Sequence, residues 1–564
     1  MIPVVTLAPP QPWSAEELKA RYHTLKEDLP HPDAPADEWE AWYWRWNEMR
    51  ASIQGEMARR YFRECQDTQD THATAAWREM CEHFSPIAQE EDGILRKAFL
   101  NAHARAELQG RMGQQLFLLL GLEDASFAVE NVALQVEESD LVSQYDHLMG
   151  GARIQLTDET LTLSRAQAEL TSPFSERRRA VWDAMGDWFE GQAEQIHAIL
   201  DRLIRLRQKQ ASNLGEHNFI PVGYRRMGRT EYGPTEVQRF RDAILQHIVP
   251  LSARLRAKQA RDLGHATGLL PGCDMTFYPG GTIGPQAVPV QEQTARAGQV
   301  FERLHPRFAA HWRQMLKDGL IDLENRPGKK PGAFAMSLDD EQRVAIFCNS
   351  TGAESDISTL HHEMGHAVQA WESMWIKPLE LRTPTMDAAE IHSFGMEYLA
   401  LDEVEAYFSP GDAAKFKNLR LMTTLARLPY MACVDAFQHF LYEKPDATPA
   451  EREAHWEALW NAFMPGLEMS DCPRQRQFRW MRQSHIFATP FYYIDYALAE
   501  VAALQLWQRA KDDRPGATQA YMEMCRVGGS VSLLGVLKAG GLSSPFETEV
   551  LGPIVRQLAE ELKL

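Results

Sequence analysis

The sequence lacks the features that mark secreted, membrane and nucleic-acid-binding proteins. Its most apolar stretch, residues 116–122, is far too short to span a bilayer. The first residues carry no basic segment ahead of an apolar one, which argues against a signal peptide. A net charge of −19 disfavours nucleic acid and anionic membranes as partners. We therefore expect a cytoplasmic protein that binds neither nucleic acid nor membrane.

A disulfide framework is also missing. The chain has only 7 cysteines in 564 residues, an odd number with no CxxC pair. They are Cys65, Cys81, Cys273, Cys348, Cys433, Cys472 and Cys525. A chain of this length can build a large hydrophobic core without cross-links, so isolated thiols in a reducing compartment are expected.

Internal repeats and low-complexity tracts are absent, and most of the chain has helical periodicity. Apolar residues recur at spacings of three and four with charges between them, which predicts helices. These helices are expected at residues 14–26, 36–67, 72–82, 86–121, 160–171 and 174–213. We predict a mainly α fold with an N-terminal helical lobe, residues 1–215, and a second domain, residues 216–564.

One segment has the alternation typical of β structure. Residues 333–337 and 343–349 read as two strands joined by a polar turn, which predicts a hairpin. A helix should begin shortly afterwards, near Asp356 or Ser358, because both residue types favour the N-cap position. We expect a small β-sheet beside this helix, with the second strand at its edge.

This helix carries the motif His-Glu-x-x-His. Histidines four residues apart, here His362 and His366, lie on one helical face and can reach one Zn²⁺. Glu363 between them can contact a water on that metal. His361 points about 100° away from His362 and is a weaker ligand candidate. The alternative is a solvated helix with two incidental histidines.

A catalytic zinc needs a third protein ligand and leaves a fourth position for water. Glu390, on a predicted helix at residues 387–397, is the expected ligand, and His392 on another face of that helix competes with it. Glu397 shares the face of Glu390 and could orient a metal ligand by a hydrogen bond. It could also be an ordinary surface or core-paired carboxylate.

These motifs and their surroundings resemble the oligoendopeptidase F and thimet oligopeptidase family of zinc metallopeptidases, nearest to its Pz-peptidase branch. The resemblance rests on residues 331–334, 347–352, 359–367, 389–393, 435–438, 441–443, 485–487 and 490–496. It is convincing over about residues 330–500, whereas the N-terminal third matches only in helicity and length.

The resemblance implies two helical lobes enclosing a deep substrate channel in a zincin-like fold, with one zinc per chain and residues 216–564 forming the catalytic domain. It also implies that short peptides are the substrates. Within the aromatic segment it points to His485 and Tyr496 as donors to the reacting carbonyl oxygen, with Tyr492 and Tyr493 at the substrate. An aromatic cluster of this kind can also be plain core, and which tyrosine meets the substrate stays open.

The predicted function is therefore zinc-dependent hydrolysis of internal bonds in short unstructured peptides, with Glu363 as general base. The strand ending at Asn349 could hold an extended peptide by strand addition, with Gly352 allowing close approach. An ordinary hairpin strand is the alternative.

Two other functions compete with this prediction. A zinc carboxypeptidase of similar helical build would need a cationic group for the free carboxylate. A catalytically silent peptide-binding protein would have no use for Glu363. Side-chain preference and oligomeric state are not predicted.

Overall fold

The computed structural model describes residues 14–281, 288–470 and 473–564 and is mainly α-helical, as predicted. Its first twelve helices are α1 (Ala15–Glu27), α2 (Ala36–Gln66), α3 (Thr71–Glu79), α4 (Ser85–Leu100), α5 (Arg105–Met112), α6 (Gln114–Ala125), α7 (Val132–Gly150), α8 (Leu163–Glu169), α9 (Ser175–Asn213), α10 (Ile220–Arg226), α11 (Pro234–Ala243) and α12 (Val249–Asp262).

The second half of the chain is equally helical. Its helices are α13 (Val290–Leu304), α14 (Pro306–Lys317), α15 (Ser355–Ser373), α16 (Met386–Ala400), α17 (Pro410–Glu443), α18 (Pro449–Phe463), α19 (Pro473–Gln477), α20 (Ser484–Ala488), α21 (Tyr493–Asp512), α22 (Arg514–Val527), α23 (Leu533–Ala539) and α24 (Leu551–Glu561).

Short helical turns and strands join these helices. The turns are of π type at Met80–Phe84 and Ile244–Ile248, and of 3-10 type at Val129–Asn131, Gly272–Asp274, Leu379–Leu381, Leu401–Ala406, Arg479–Arg482 and Thr548–Val550. The strands are β1 (Ile154–Gln155), β2 (Thr160–Leu161), β3 (Leu270–Pro271), β4 (Ile321–Glu324), β5 (Phe334–Leu338), β6 (Arg343–Ser350) and β7 (Leu467–Glu468).

The chain forms two compact units, each made of three segments. The first unit comprises Met1–Ala125, Gly284–Ala413 and Ala502–Leu542. The second comprises Ser126–Ile283, Ala414–Val501 and Ser543–Leu564. Residue 215, where the sequence analysis places a lobe boundary, lies inside the second unit, and the division into lobes at that point stays a prediction.

The prediction of one long helix at residues 86–121 is wrong, because this segment forms three separate helices. The chain leaves helix α4 after Leu100 and begins α5 at Arg105. A second break follows at Gly113, where φ is 96°, a conformation that glycine adopts without steric penalty. Local hydrophobic periodicity continues through both breaks, which explains why the pattern alone did not reveal them.

The predicted hairpin is correct, but the predicted edge position of its second strand is wrong. In the first unit the sheet order is β4-β6-β5, with β6 parallel to β4 and antiparallel to β5. Strand β6 is therefore central, and its backbone pairs on both sides. Its residues 344–348 are all buried, as expected for a strand covered on both faces. The edge strand of the hairpin is β5.

Helix α2 holds this hairpin in place. The ring of Phe334 in β5 lies 5.5 Å from that of Tyr61 and stacks on Phe347 of β6 at 4.8 Å. At the hairpin turn, Arg59 of α2 donates two hydrogen bonds to Asp340, at 3.0 and 2.8 Å. A bidentate arginine–carboxylate pair fixes orientation as well as distance, so α2 positions the hairpin turn next to β5.

The cysteines of the described residues are free thiols, as the sequence predicts. Six cysteines are free in the described part of the chain, five of them buried and Cys81 exposed. Cys472 lies outside the described residues. Among the helices that the structure describes, none combines the length and the apolarity needed to cross a membrane.

Candidate metal centre

Helix α15 begins after a short turn that leaves strand β6. Gly352 in this turn has φ 97°, and the carboxylate of Asp356 accepts hydrogen bonds from the N–H groups of Thr351 and Gly352, both at 2.7 Å. The helix starts at Ser355, so neither predicted N-cap residue is correct. Asp356 instead ties the turn to the first turn of the helix. The sheet and the helix that carries the motif are thereby joined through a fixed connection.

His362, His366 and Glu390 converge at one point in the first unit. Glu390 Oε2 lies 3.3 Å from His362 Nε2 and 3.6 Å from His366 Nε2. One donor atom from each of the three residues lies within 4.8 Å of the others. In the described residues this is the only such group of three. The three residues chosen from the sequence as metal ligands thus lie together.

The donor set fits a tetrahedral zinc ion. Ligand bonds of about 2.0–2.2 Å place tetrahedral ligands roughly 3.4 Å apart, which agrees with the two distances from Glu390 to the histidines. Although burial opposes it, hydrogen bonds from His362 and His366 hold the pKa of Glu390 well below its usual range. An ionised carboxylate between two imidazoles is a favourable site for a divalent cation.

Two further side chains orient these ligands. Glu397 Oε1 lies 2.9 Å from His362 Nδ1, which leaves Nε2 directed toward Glu390. The Ser393 hydroxyl donates to Glu390 Oε2 at 2.7 Å. Burial lowers the pKa of His362, but hydrogen bonds to Glu390 and Glu397 outweigh it and raise that pKa to about 10. Positive charge is therefore stabilised at this place. Ser393 was missed in the sequence, although it lies three residues from Glu390.

Glu363 lies next to the metal site and to strand β5. Its side chain is only 5% exposed, and burial raises the pKa of its carboxyl group. The backbone N–H of Ala335 in β5 donates a hydrogen bond to this carboxylate. Its Oε2 atom is buried and has no hydrogen-bond partner among the residues that the structure describes. A buried carboxylate oxygen with spare acceptor capacity can take a proton.

Close packing of two helices brings Glu390 to the motif. A β-carbon placed on Gly365 of α15 would lie 2.4 Å from the carbonyl oxygen of His392 and 2.7 Å from Cα of Ser393. Only glycine therefore allows α16 to approach this closely. The hydroxyl of Tyr521 in α22 then donates to the same His392 carbonyl at 2.9 Å.

The two rival histidines point elsewhere. His361 Nε2 lies 3.0 Å from the Tyr407 hydroxyl, and burial lowers the pKa of His361 to about 4. His361 is buried, and its imidazole is directed away from the three converging side chains. His392 Nδ1 lies 3.5 Å from Cys525 Sγ, and burial lowers the pKa of His392 to about 3. Both are buried residues of α15 and α16 whose side chains are directed away from His362, His366 and Glu390.

Asn349 and Gly352 both shape the backbone around the sheet: Asn349 by hydrogen bonds and Gly352 by its positive φ. The Asn349 amide donates to the carbonyl groups of Lys330 and Gly332 at 2.8 and 2.7 Å, and its oxygen accepts from Asn325. This side chain holds the loop that leads into strand β5. Gly352 is buried and adopts the positive φ that the turn before α15 requires. A direct substrate contact by either residue stays a prediction.

The aromatic segment forms a cluster in the second unit. The ring of His485 lies 5.9 Å from Tyr492, 4.8 Å from Tyr493 and 5.8 Å from Tyr496. Tyr493 is buried, whereas the other three are partly exposed. Gln483 Nε2 lies 2.7 Å from His485 Nδ1 and so fixes the imidazole ring. The predicted residues are therefore close together, and Tyr492 and Tyr496 are more exposed than Tyr493.

A buried arginine missed in the sequence, Arg229, anchors this segment. Arg229 donates to the carbonyl oxygen of Phe491 and to Asp495, both at 2.6 Å, with both charged side chains fully buried. Phe491 has φ 71°, and its N–H donates to Gln438. Asp495 was the available signal for this ion pair, because a carboxylate that becomes buried needs a cation beside it. The sequence could not identify Arg229 as that cation, because the two residues are remote in the chain.

Comparison with known proteins gives two family matches. Residues 170–553, more than half of the chain, match peptidase family M3. Residues 10–127 match the peptidase M3 N-terminal domain.

Individual relatives agree with these matches. The structure of Pz peptidase A with inhibitor 2 is 31% identical, has a TM-score of 0.89, and covers 99% of this chain and 98% of that one. An oligoendopeptidase F homologue of Borreliella burgdorferi is 25% identical over 40% of this chain and 39% of its own length. Group B oligopeptidase PepB of Streptococcus agalactiae is 24% identical over 45% and 41%. The match spans only about 40% of the length of these curated relatives.

Proposed function

The chain belongs to peptidase family M3, and on that premise we propose that it is a zinc-dependent oligoendopeptidase that hydrolyses internal bonds of short unstructured peptides. The observation that carries the proposal is the convergence of His362, His366 and Glu390 beside the buried carboxylate of Glu363. A cytoplasmic location remains part of the proposal.

His362, His366 and Glu390 would hold one zinc ion. When bound, zinc polarises the scissile carbonyl and lowers the pKa of a coordinated water toward neutrality. Glu397 fixes the tautomer of His362 by accepting at Nδ1, so that Nε2 is free to bind a metal. Ser393 holds one oxygen of Glu390 and limits its rotation.

Glu363 would act as the general base. It takes a proton from the attacking water and delivers it to the leaving amine. Burial raises the pKa of Glu363, and this outweighs the charges of His366 and His362 and the N–H of Ala335, which lower it. A raised pKa favours proton uptake by this carboxylate.

Tyr496 and His485 would stabilise the oxyanion that forms when water attacks, as the family resemblance implies. Preorganised donors aimed at this oxygen are among the strongest catalytic contributions in acyl transfer. Tyr496 is partly exposed and lies beside His485, which Gln483 orients. The more deeply buried Tyr493 is a weaker candidate for direct contact.

Substrate would pair with strand β5 rather than with β6. Strand β6 has a partner on each side, so it has no edge for a peptide. Strand β5 is the edge of the hairpin, and Ala335 in it contacts the proposed base. Main-chain pairing at this edge would give broad sequence tolerance and would place a peptide bond near Glu363. Asn349 would contribute indirectly, by holding the loop before β5.

Metal analysis tests the site. The purified protein should hold about one zinc per chain, lose activity on chelation and regain it with zinc. His366→Ala and Glu390→Ala should bind much less zinc, whereas His361→Asn should bind it normally because His361 faces Tyr407. Undiminished zinc in both ligand variants would refute the assignment.

A ladder of end-blocked peptides tests the activity and the deep channel that the resemblance implies. Cleavage should be internal and should fall steeply as length grows from a few residues to several tens. Activity restricted to free C-termini would favour the carboxypeptidase, and no hydrolysis with intact peptide binding would favour the silent binder. Rapid digestion of an unfolded protein would contradict the channel.

A further inference from the structure

Three arginines of the second unit surround the tyrosines beside the proposed oxyanion donors. Arg479 lies with its Cζ atom 5.7 Å from the ring centre of Tyr430. The Tyr430 ring in turn lies 6.0 Å from that of Tyr493, the neighbour of His485. Arg427 acts on Tyr493, since its charge opposes the burial that raises the pKa of that tyrosine. Arg482 completes the group, and its charge acts on both tyrosines. We call these three arginines the arginine cluster.

The cluster lacks acidic partners within the part of the chain that the structure describes. Arg479 is only 8% exposed, and its Nε and Nη1 atoms are buried without a hydrogen-bond partner. Arg482 Nη1 is likewise buried and without one. By contrast, the neighbouring Arg474 pairs with Glu190 at 3.0 Å, and Arg476 pairs with Glu457. Buried charges in proteins are normally paired, so these two guanidinium groups are unusual.

The surroundings offset only part of the positive charge. Arg479 lies over the rings of Trp182 and Tyr430, at 5.9 and 5.7 Å, where cation–π attraction is modest. Burial lowers the pKa of Arg479. Burial, followed by the charge of Arg479, lowers the pKa of Arg482 to about 9. Burial accounts for both shifts, and at Arg482 the positive charge of Arg479 adds to it, with no acidic residue of the described chain compensating either group. An anion entering here would compensate that positive charge.

The position of the cluster limits which anion can enter. Tyr430 and Arg482 are partly exposed and Arg427 is exposed, so part of the cluster lies at the protein surface. Tyr430 also donates to Gln483 at 3.2 Å, and Gln483 contacts His485. The cluster and the proposed oxyanion donors are therefore parts of one connected polar network. Because His485 and Tyr496 are the donors proposed for the reacting carbonyl, the proposed function lets one ligand reach both these donors and the cluster.

We propose that the arginine cluster binds a carboxylate of the peptide substrate and so favours peptides that present one near the scissile bond. This rests on the proposed function. Guanidinium groups suit carboxylates because their N–H groups match both oxygens. The carboxylate is either the free C-terminus of a short peptide or an Asp or Glu side chain. In both cases cleavage stays internal, and the cluster sets the preference among peptides.

Two matched substrate pairs separate these sources. The first pair is one internally quenched peptide with a C-terminal carboxylate or a carboxamide. The second pair keeps the carboxamide and carries Glu or Gln at one position, moved stepwise along the peptide. Hydrogen bonds between charged partners are worth about 1.5–3 kcal/mol, so kcat/KM should favour the carboxylate member of one pair by roughly 10- to 100-fold.

Variants then assign the preference to the cluster. In Arg479→Gln and in Arg482→Gln the carboxylate-to-amide ratio should fall toward one, chiefly through KM for the acid. Each ratio compares two substrates on one protein. Partial misfolding therefore lowers kcat/KM for both substrates equally and leaves the ratio unchanged. Arg474→Gln removes a paired surface charge from the same stretch of chain and should keep the wild-type ratio.

Equal kcat/KM within both pairs in the wild type would overturn the inference and leave the proposed peptidase activity standing. A preference that survives in Arg479→Gln and Arg482→Gln would overturn it as well. If no peptide is cleaved, the proposed function fails, and calorimetric binding of the same acid and amide peptides decides the inference. Tighter binding of the acid, lost in Arg482→Gln, would support it, and equal binding would refute it.

Discussion

Replacing Gly365 by alanine should push helix α16 away from α15 and disrupt the metal site. The new β-carbon would lie 2.4 Å from the carbonyl oxygen of His392 and 2.7 Å from Cα of Ser393. Both are backbone atoms, so no side-chain rotation can relieve the contact. Ordinary carbon–oxygen contacts lie at about 3.3 Å or more, which requires a shift of roughly 1 Å.

That shift is large for a metal site. Glu390 stands on the same turn of α16 as the displaced backbone, and metal-ligand distances are tolerant to about 0.2 Å. We therefore expect zinc affinity to fall strongly in Gly365→Ala. Overpacking of a close contact costs typically about 1–3 kcal/mol, so the unfolding free energy should drop by a similar amount without metal.

Zinc titration and urea unfolding of the metal-free protein measure the two effects. Gly110→Ala is the matched control, because Gly110 is an exposed position of helix α5 with nothing within 4 Å of an added β-carbon. Alanine there should stabilise the protein by about 0.5–1 kcal/mol. Wild-type zinc affinity and wild-type stability in Gly365→Ala would refute the reasoning that close helix packing places Glu390.

Three further predictions concern the chemistry and the stability. Glu363→Gln should keep zinc and lower kcat by roughly 10²–10⁴, since the amide cannot accept a proton; near-normal turnover with bound zinc would exclude Glu363 as base. Tyr496→Phe should lower kcat by roughly 10²–10³ with little change in KM; a normal kcat would move the role to His485 or another tyrosine. Arg50→Met leaves the buried Glu380 without its cation and should cost about 3–5 kcal/mol at pH 7 by urea unfolding. Burial raises the pKa of Glu380, but Arg50 outweighs this effect and holds that pKa below its ordinary value. The wild-type ion pair therefore stabilises the fold at neutral pH, and this stabilisation is lost as acidification protonates Glu380. The deficit of the variant should therefore shrink on acidification, and a deficit that is small or independent of pH would contradict this account.

The sequence was most informative where the structure depends on local spacing. Helical periodicity located several helices of the N-terminal half, among them α1, α2 and α9, and a spacing of four residues placed His362 and His366 on one face. Glu390 and Glu397 share a face for the same reason. The breaks within residues 86–121 were missed because apolar residues keep their spacing across Gly113.

Contacts between remote segments were the main source of error. Strand β6 was expected at a sheet edge, but the short strand β4 pairs with it from a segment before the hairpin. The unbroken apolar run at residues 344–348 was the available signal, because a strand buried on both faces does not alternate. Strand β5, which contacts Glu363, is the edge instead.

The amino-acid sequence by itself determined that this chain is mainly helical and carries a metal-binding motif, because helices and ligand spacing depend on residues a few positions apart. Only the tertiary structure decided that Glu390 meets the motif through Gly365, and that Ser393 and Glu397 orient the ligands. The same holds for the anchoring of the aromatic segment by Arg229. These features arise where distant segments pack, and the packing depends on the shape of the whole folded unit rather than on any local pattern.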